Sequence, residues 1–413
     1  MAKNEVIAGL DVGSGRITCV IGEPNPDGQG MRILSGTSVP CRGVKGGIVL
    51  NIPETARSIR QAVEKAEEEA KQLVQGVYLG VRGKHLESVN NRGAYNIART
   101  DKEITQEDVK AVIGNARAIS ISQDREILHT IPQGFSLDRQ KGVPDPVGME
   151  GALLEVEVHI VTVLSSYLNN LSKAVSEAGF DVLQPIYNPI ALGELVVTPE
   201  ERDLGCLLVD LGAQSISLGI YGDGALMFTK ELPIGTEFIT RDIAHALRTN
   251  MPTAEKIKTE HGVAHPRFAG EDKEIAYLGV DGRSKQSTKP NSVLQVILPR
   301  VEEIFEMISD AVKTSPFEDV AQAGGAILSG GGSMLKGMPE AAAQVLEMPA
   351  RLGLVPPGGI VGDEKFFDPT YASAIGLLCY PRSGLSETLT RGDGRRTESR
   401  LVRRVKGFFQ EIF

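Results

Sequence analysis

Two stretches of this 413-residue chain share one pattern, and the repeat constrains the fold more than any other feature. Ile7–Glu23 reads IAGLDVGSGRITCVIGE: an apolar run with Ile7, Ala8 and Leu10, then Asp11, then Gly13-Ser14-Gly15, then a second apolar run through Ile17, Val20 and Ile21. This is the pattern of strand, tight turn and return strand. Cys206–Gly224, CLLVDLGAQSISLGIYGDG, repeats it with Leu207, Leu208 and Val209 leading to Asp210 and Gly212, and Leu218 and Ile220 on the return. Recurrence of a supersecondary unit half a chain apart points to two like-built halves. Glycines at the tip let backbone N–H groups approach an anion, and Ser14 adds a hydroxyl. A carboxylate where each strand meets its loop suits a hydrated Mg²⁺ beside phosphates. Facing hairpins would grip a phosphate chain from both sides, with Asp11 and Asp210 near one metal.

Composition sets the outer bounds. A chain that is 41% hydrophobic and 23% charged has ordinary globular composition, and this length suits two or more domains. A net charge of −9 argues against generic nucleic-acid binding by the body. Cys19, Cys41, Cys206 and Cys379 fall far apart with neither zinc nor disulfide spacing, which predicts buried thiols in a reducing compartment. No apolar run approaches a membrane span and the N-terminus does not read as a signal peptide, so a soluble cytoplasmic body is expected.

Along the chain, Met31–Pro40 reads as a third strand, Ala56–Leu73 as an amphipathic helix and Val77–Val81 as a buried strand. Residues 82–161 break that rhythm and read as a small inserted domain, with a helix capped by Thr105 and backed by Asp108. His85, His129 and His159 in this segment are scattered, as core or surface residues rather than ligands are. Ser165–Ala178 is a helix; Val182–Gln184 is a strand followed by a helix from Pro189, which sets Gln184 at a strand-to-helix junction. An amide there either orients a water or simply starts a helix. Helices are expected over Gly235–Asn250, Thr253–His261 and Val293–Val312, with Gly270–Pro290 a polar loop. Glu255 and Lys258 stand three apart on one helix face. A buried strand, Ala326–Ser329, runs into Gly330-Gly331-Gly332-Ser333, which permits close backbone approach to a planar or phosphorylated ligand.

The tail differs from everything before it. Residues 381–397 are polar and Gly-containing, a flexible linker. Residues 398–413, ESRLVRRVKGFFQEIF, read as an amphipathic helix: at about 100° per residue, Leu401, Val402, Val405, Phe408, Phe409, Ile412 and Phe413 would share one side, with Arg400, Arg403, Arg404 and Lys406 at its edges or opposite. From Arg391 onward seven basic and three acidic residues give +4, leaving −13 for the rest of the chain. That segregation suits an interfacial helix on anionic lipid; the alternative is a terminal helix docked on the body.

The order of these pieces resembles the actin/Hsp70/sugar-kinase superfamily, and within it the FtsA family of bacterial cell-division actin homologues. The RGxxKGGIxN phrase from Arg42 to Asn51, the insertion with its GKH and IPQ pieces, and the tail carry the likeness, which covers essentially the whole chain. It implies an α/β, actin-like two-lobed ATPase fold. The first lobe would comprise 1–81 with a return at 162–197, and the second 198–380, with a peripheral subdomain at 230–300 and a closing helix at 365–380. It implies ATP with Mg between the lobes, held by Asp11, Gly13, Ser14, Gly15 and Arg16 on one side and by Asp210, Gly212, Ala213, Gln214 and Ser215 on the other. Glu255 and Lys258 would border the nucleoside, Gly330, Gly331, Gly332 and Met334 would form the adenosine loop, and Gln184 would position the attacking water. Asp11 and Asp210 would serve both the metal, through water, and catalysis.

Departures temper the chemistry. The second loop of the superfamily is usually Asp-x-Gly-Gly-Gly-Thr, whereas Ala213 and Gln214 here bring side chains toward the phosphate. Thr18 stands where actin has a lysine, and Arg16 is the nearer cation. At most slow ATPase activity is expected. The resemblance implies an adaptor that anchors FtsZ filaments to the cytoplasmic face of the cell membrane, associates with itself and recruits later division proteins, without nucleic acid. A sugar or acetate-type kinase and a pilus-assembly actin homologue share the fold and stand as alternatives.

Overall fold

A computed structural model of the chain describes residues 6–25, 30–271, 273–356 and 359–382. The helix expected over 398–413 lies outside them, as does the linker beyond residue 382.

Both halves are built on one strand order. In the first sheet Ile7–Val12 pairs antiparallel with Arg16–Pro24, which pairs antiparallel with Met31–Pro40. On its other side Ile7–Val12 runs parallel to Gly76–Val81, and that strand parallel to Asp181–Tyr187. The second sheet repeats this order: Cys206–Leu211 with Ile216–Gly222 and then Ala225–Leu232, all antiparallel, and on the other side Ala326–Ser329 and Ala350–Leu352, both parallel. Ile360–Val361 adds a sixth strand to the first sheet, beside Met31 and Arg32. The central strands are buried almost throughout, as strands covered on both faces must be.

Helices Ile52–Ala70 and Ser165–Ala178 cover one face of the first sheet, and their inward residues (Ile59, Val63, Leu171 and Val175) fill its core. The first starts on Asn51, whose side chain accepts the Glu54 N–H at 3.0 Å, with Pro53 in its first turn. Helices Glu237–Ala246, Pro290–Lys313 and Met338–Leu346 do the same for the second sheet around Phe305 and Ile308. Between the lobes cross two short, apolar, almost wholly buried helices, Asn188–Val196 and Pro369–Cys379. They pack backbone to backbone: a Cβ built on Gly376 would lie 2.7 Å from the Ala191 carbonyl carbon.

The segment after Gly76–Val81 forms its own four-stranded sheet, in the order Leu86–Asn96, Leu153–Leu164, Arg125–Leu137, Gln140–Val143. Helix Gln106–Arg117 packs on it, and the capping box of Thr105 and Asp108 starts that helix. This sheet leans on Ala225–Leu232 of the second lobe through polar contacts. Ser88 donates to Thr229 O (3.0 Å), Asn90 to Met227 O (3.0 Å) and Gln133 to Met227 O (2.9 Å). All three histidines of the segment are buried. His159 sits between Asn90 (2.6 Å) and Thr229 (2.9 Å), and burial pushes its pKa down to about 3.

The stretch expected as a polar loop over Gly270–Pro290 instead contains an antiparallel ribbon, Ile275–Leu278 with Lys285–Thr288. Its first strand is apolar throughout, with Ile275 buried and Ala276 and Leu278 exposed, and its second is polar throughout, so period-2 patterning hides it. Among the described residues no helix is long and apolar enough to cross a membrane.

Candidate functional site

Register places the two aspartates at equivalent points. Asp11 lies opposite Gly80 of its parallel neighbour, and Asp210 opposite Ser329 of its own. Both carboxylates therefore emerge at the C-terminal edges of parallel strand pairs, where open α/β sheets bind ligands. Between them opens a cleft of about 1530 Å³. Asp11, Gly13, Ser14, Gly15 and Arg16 line it from the first hairpin, and Asp210, Gly212, Ala213, Gln214 and Ser215 from the second. Glu255, Lys258, Gly330, Gly331, Gly332 and Met334 also reach it, so the structure brings together every expected binding residue.

The hairpin tips abut. A Cβ on Gly15 would stand 3.0 Å from that of Ala213. The Gly46–Gly47 turn stitches the two tips: Gly46 N–H donates to Gln214 Oε1 (2.9 Å) and Gly47 N–H to Ser14 Oγ (3.1 Å). Gln214, at the cleft wall, is thus held between that turn and Glu237, which also lines the cleft. Gly330, at φ +77°, lies so close to Asp210 that a side chain would strike its carboxylate and sit 2.8 Å from Leu211 O. A cradle that any Cβ would fill is what close backbone approach to a phosphorylated ligand requires. Lys258 is buried beside Glu255 (2.8 Å) and donates to Thr240 Oγ1 (2.9 Å). Phe268, Met334 and Leu335 give the cleft an apolar stretch of wall. Arg16 is exposed at the rim, its Nε donating to Ser38 Oγ (2.7 Å) and its Nη2 to Ser38 O (2.6 Å).

Gln184 is the exception. Strand Asp181–Tyr187 runs three residues past it, so Gln184 lies mid-strand opposite Tyr78 and does not line the cleft. The strand-to-helix junction falls at Asn188, fully buried, whose Nδ2 donates to Asp11 Oδ1 at 2.9 Å. The amide that touches the site is Asn188.

Arg82 is the second residue the sequence reading missed. It follows strand Gly76–Val81 directly, and the parallel register beside Asp11 carries it to the cleft edge. Its Nη2 lies 2.8 Å from Asp11 Oδ2 and 3.2 Å from Asp210 Oδ2, tying the two lobes through one buried guanidinium. Burial opposes that charge, but Asp11, Asp210 and Glu231 outweigh it and hold Arg82 firmly protonated. Burial raises the Asp210 pKa, with Arg82 opposing and Asp11 reinforcing. Behind them Glu231 accepts from Tyr187 Oη (2.9 Å) and Gly83 N–H (3.1 Å), and burial pushes its pKa up to about 7 against those donors. Glycine cradle, cations and apolar wall together fit a nucleoside polyphosphate. A divalent ion between Asp11 and Asp210 does not fit this arrangement, because the guanidinium fills the space. Among the described residues no group of three or more His, Cys, Asp or Glu could hold a metal.

Two like-ordered sheets with an Asp hairpin each, a cleft between them and a crossing helix pair beneath define an actin-like ATPase fold. Solved structures agree: the PilM–PilN type IV pilus biogenesis complex (TM-score 0.65, 18% identity, 91% of this chain and 98% of that one) and MreB5 of Spiroplasma citri bound to ADP (TM-score 0.55, 11% identity, 93% and 98%). The family model described as the SHS2 domain inserted in FtsA matches residues 83–162, and that of cell division protein FtsA matches 207–376. Cell division protein FtsA of Pseudomonas aeruginosa is 34% identical over 92% of this chain and 89% of its own. That of Escherichia coli K12 is 32% identical over 91% and 90%. The chain belongs to the FtsA family of cell-division proteins.

Proposed function

We propose that this chain is an ATP-binding, actin-like membrane adaptor that anchors FtsZ filaments to the cytoplasmic face of the cell membrane at the division site and recruits later division proteins. The observation that carries the reading is the inter-lobe cleft lined by both Asp hairpins and the Gly330–Gly332 turn, in a chain of the FtsA family. ATP would lie with its phosphates between the hairpin tips and its nucleoside toward Glu255, Lys258 and Met334. Turnover would be slow at most, since Ala213 and Gln214 replace residues of a more open loop. The nucleotide then acts mainly on conformation and self-association. A kinase reading would need a substrate base and a polar acceptor pocket beside the phosphates; family membership favours the adaptor.

The 398–413 segment supplies the membrane contact in this reading. Each basic residue near an anionic surface contributes about 1 kcal/mol, so one tail binds reversibly and an assembly carrying many binds tightly through avidity. Co-pelleting with anionic liposomes tests it: the full chain should sediment, more so with ATP, and a chain ending at Tyr380 should not. Phe408→Glu with Phe409→Glu should release the protein without changing its melting temperature. A double variant that still sediments would refute the tail assignment.

A further inference from the structure

The carboxylate pair that a nucleotide-bound metal would use already carries a cation. Arg82 bridges Asp11 and Asp210, and its Nη2 also lies 3.4 Å from Ser373 Oγ. All three charged side chains are buried, at 10%, 12% and 1% exposure for Arg82, Asp11 and Asp210. The bridge is incomplete as hydrogen bonding goes: Arg82 Nε and both Asp210 oxygens have no partner of good geometry. Donor and acceptors are thus held ready at the point where the two lobes meet.

Elementary electrostatics says what this excludes. Two buried carboxylates a few ångströms apart need a counter-charge. The guanidinium provides one positive charge as a planar fork suited to carboxylate or phosphate. Mg²⁺ demands an octahedral oxygen shell at about 2.0–2.1 Å and keeps several waters, which requires the volume the fork fills. It would also have to sit against a charge that does not titrate.

We propose that Arg82 is the resident cation of this pair, standing in for the divalent ion, so that the cleft takes a nucleoside polyphosphate with little dependence on Mg²⁺. The nucleotide clause rests on the ATP reading above; the charge compensation does not.

The full chain and its Arg82→Met and Arg82→Lys variants test both clauses. Without nucleotide, the melting temperature of the wild type should be the same in EDTA and in millimolar MgCl₂. Arg82→Met, which keeps the aliphatic stem and loses the charge, should melt lower in EDTA and recover with MgCl₂; Arg82→Lys, which keeps the charge, should fall between and respond weakly. A wild type that Mg²⁺ stabilises as much as it does Arg82→Met, or an Arg82→Met that melts like the wild type and ignores Mg²⁺, would overturn the proposal. Should Arg82→Met fail to fold in either medium, the wild type and Arg82→Lys decide by the same comparison.

Binding of a fluorescent ATP analogue reads the second clause. Wild-type affinity should differ little between EDTA and MgCl₂, while Arg82→Met should lose about tenfold or more in EDTA, the size of one charge-assisted hydrogen bond. Wild-type binding that collapses in EDTA would refute the stand-in role. Absence of binding in both media would remove the ATP reading, leaving the melting comparison to judge Arg82 by itself.

Discussion

Alanine at Gly376 should loosen the joint between the lobes, and the structure sets the size of the effect. The added Cβ would lie 2.7 Å from the Ala191 carbonyl carbon and 3.2 Å from Leu192 N, atoms of the facing helix backbone. Comfortable carbon contacts need about 3.5–4.0 Å, so the helices must part by roughly 1 Å. Residues Pro369–Leu378 are buried apart from Thr370 and Tyr371, which leaves little room to yield. Overpacking of this kind costs about 3 kcal/mol where backbone is the obstacle, and the helix propensity gained by alanine returns about 1 kcal/mol. A net loss of about 2 kcal/mol lowers the melting temperature by about 4–8 °C at the sensitivity of domains of 150–250 residues. Gly114→Ala is the matched control: it is also helical, but exposed, with nothing within 4 Å of the new Cβ. It should hold or slightly raise the melting temperature. Thermal unfolding by circular dichroism compares the two. If Gly376→Ala melts with Gly114→Ala, at or above the wild type, the crossing is not the constraint argued here.

Asn188→Ala should leave Asp11 Oδ1 buried without its amide donor, at a cost of about 1–3 kcal/mol read by urea unfolding; Gln184→Ala should cost little, because that side chain is half-exposed on an edge strand. Glu231 gives a pH signature. Its folded pKa of about 7 lies above the unfolded value of 4.5, so the stability it contributes is complete below pH 4.5 and is lost as pH rises through 7. Glu231→Gln should flatten that fall between those limits in pH-dependent melts, and an unchanged slope would refute the assignment.

Much of this architecture can be read directly from residue patterns. Both hairpins are visible because Asp-x-Gly interrupts near-continuous apolar runs, and their equivalence follows from spacing. The helices carry 3.6-residue periodicity and caps, as at Thr105 and Asn51. Gln184 and Asn188 changed places for a definable reason. Pro185 reads as the end of a strand, yet Asp181–Tyr187 is the outermost strand of its sheet, where proline costs no ladder hydrogen bond. Arg82 escaped notice because it stands at a seam, just past the strand Gly76–Val81 and at the start of the insertion. Only the parallel pairing of Gly76–Val81 with Ile7–Val12, a non-local fact, puts it beside Asp11. The ribbon at Ile275–Thr288 pairs an unbroken apolar strand, Ile275–Leu278, with a wholly polar one, Lys285–Thr288, so neither alternates and no period betrays it.

The packing of helix Pro369–Cys379 on strand Ile7–Val12 bears on how the chain is made. The Ala374 carbonyl lies against Gly9 so closely that a Cβ there would strike its oxygen and stand 3.2 Å from its carbon, and Ile360–Val361 pairs with Met31 and Arg32. Strands Ile7–Val12 and Arg16–Pro24 therefore lack the helix that covers one of their faces until residues near 379 leave the ribosome. At about 5–20 residues per second, translation needs on the order of 20–70 s to bring the two ends together. Through that interval the N-terminal strands present an apolar surface, and the first lobe, though synthesised first, is completed last. A premature stop anywhere before this helix damages the start of the chain as much as its end.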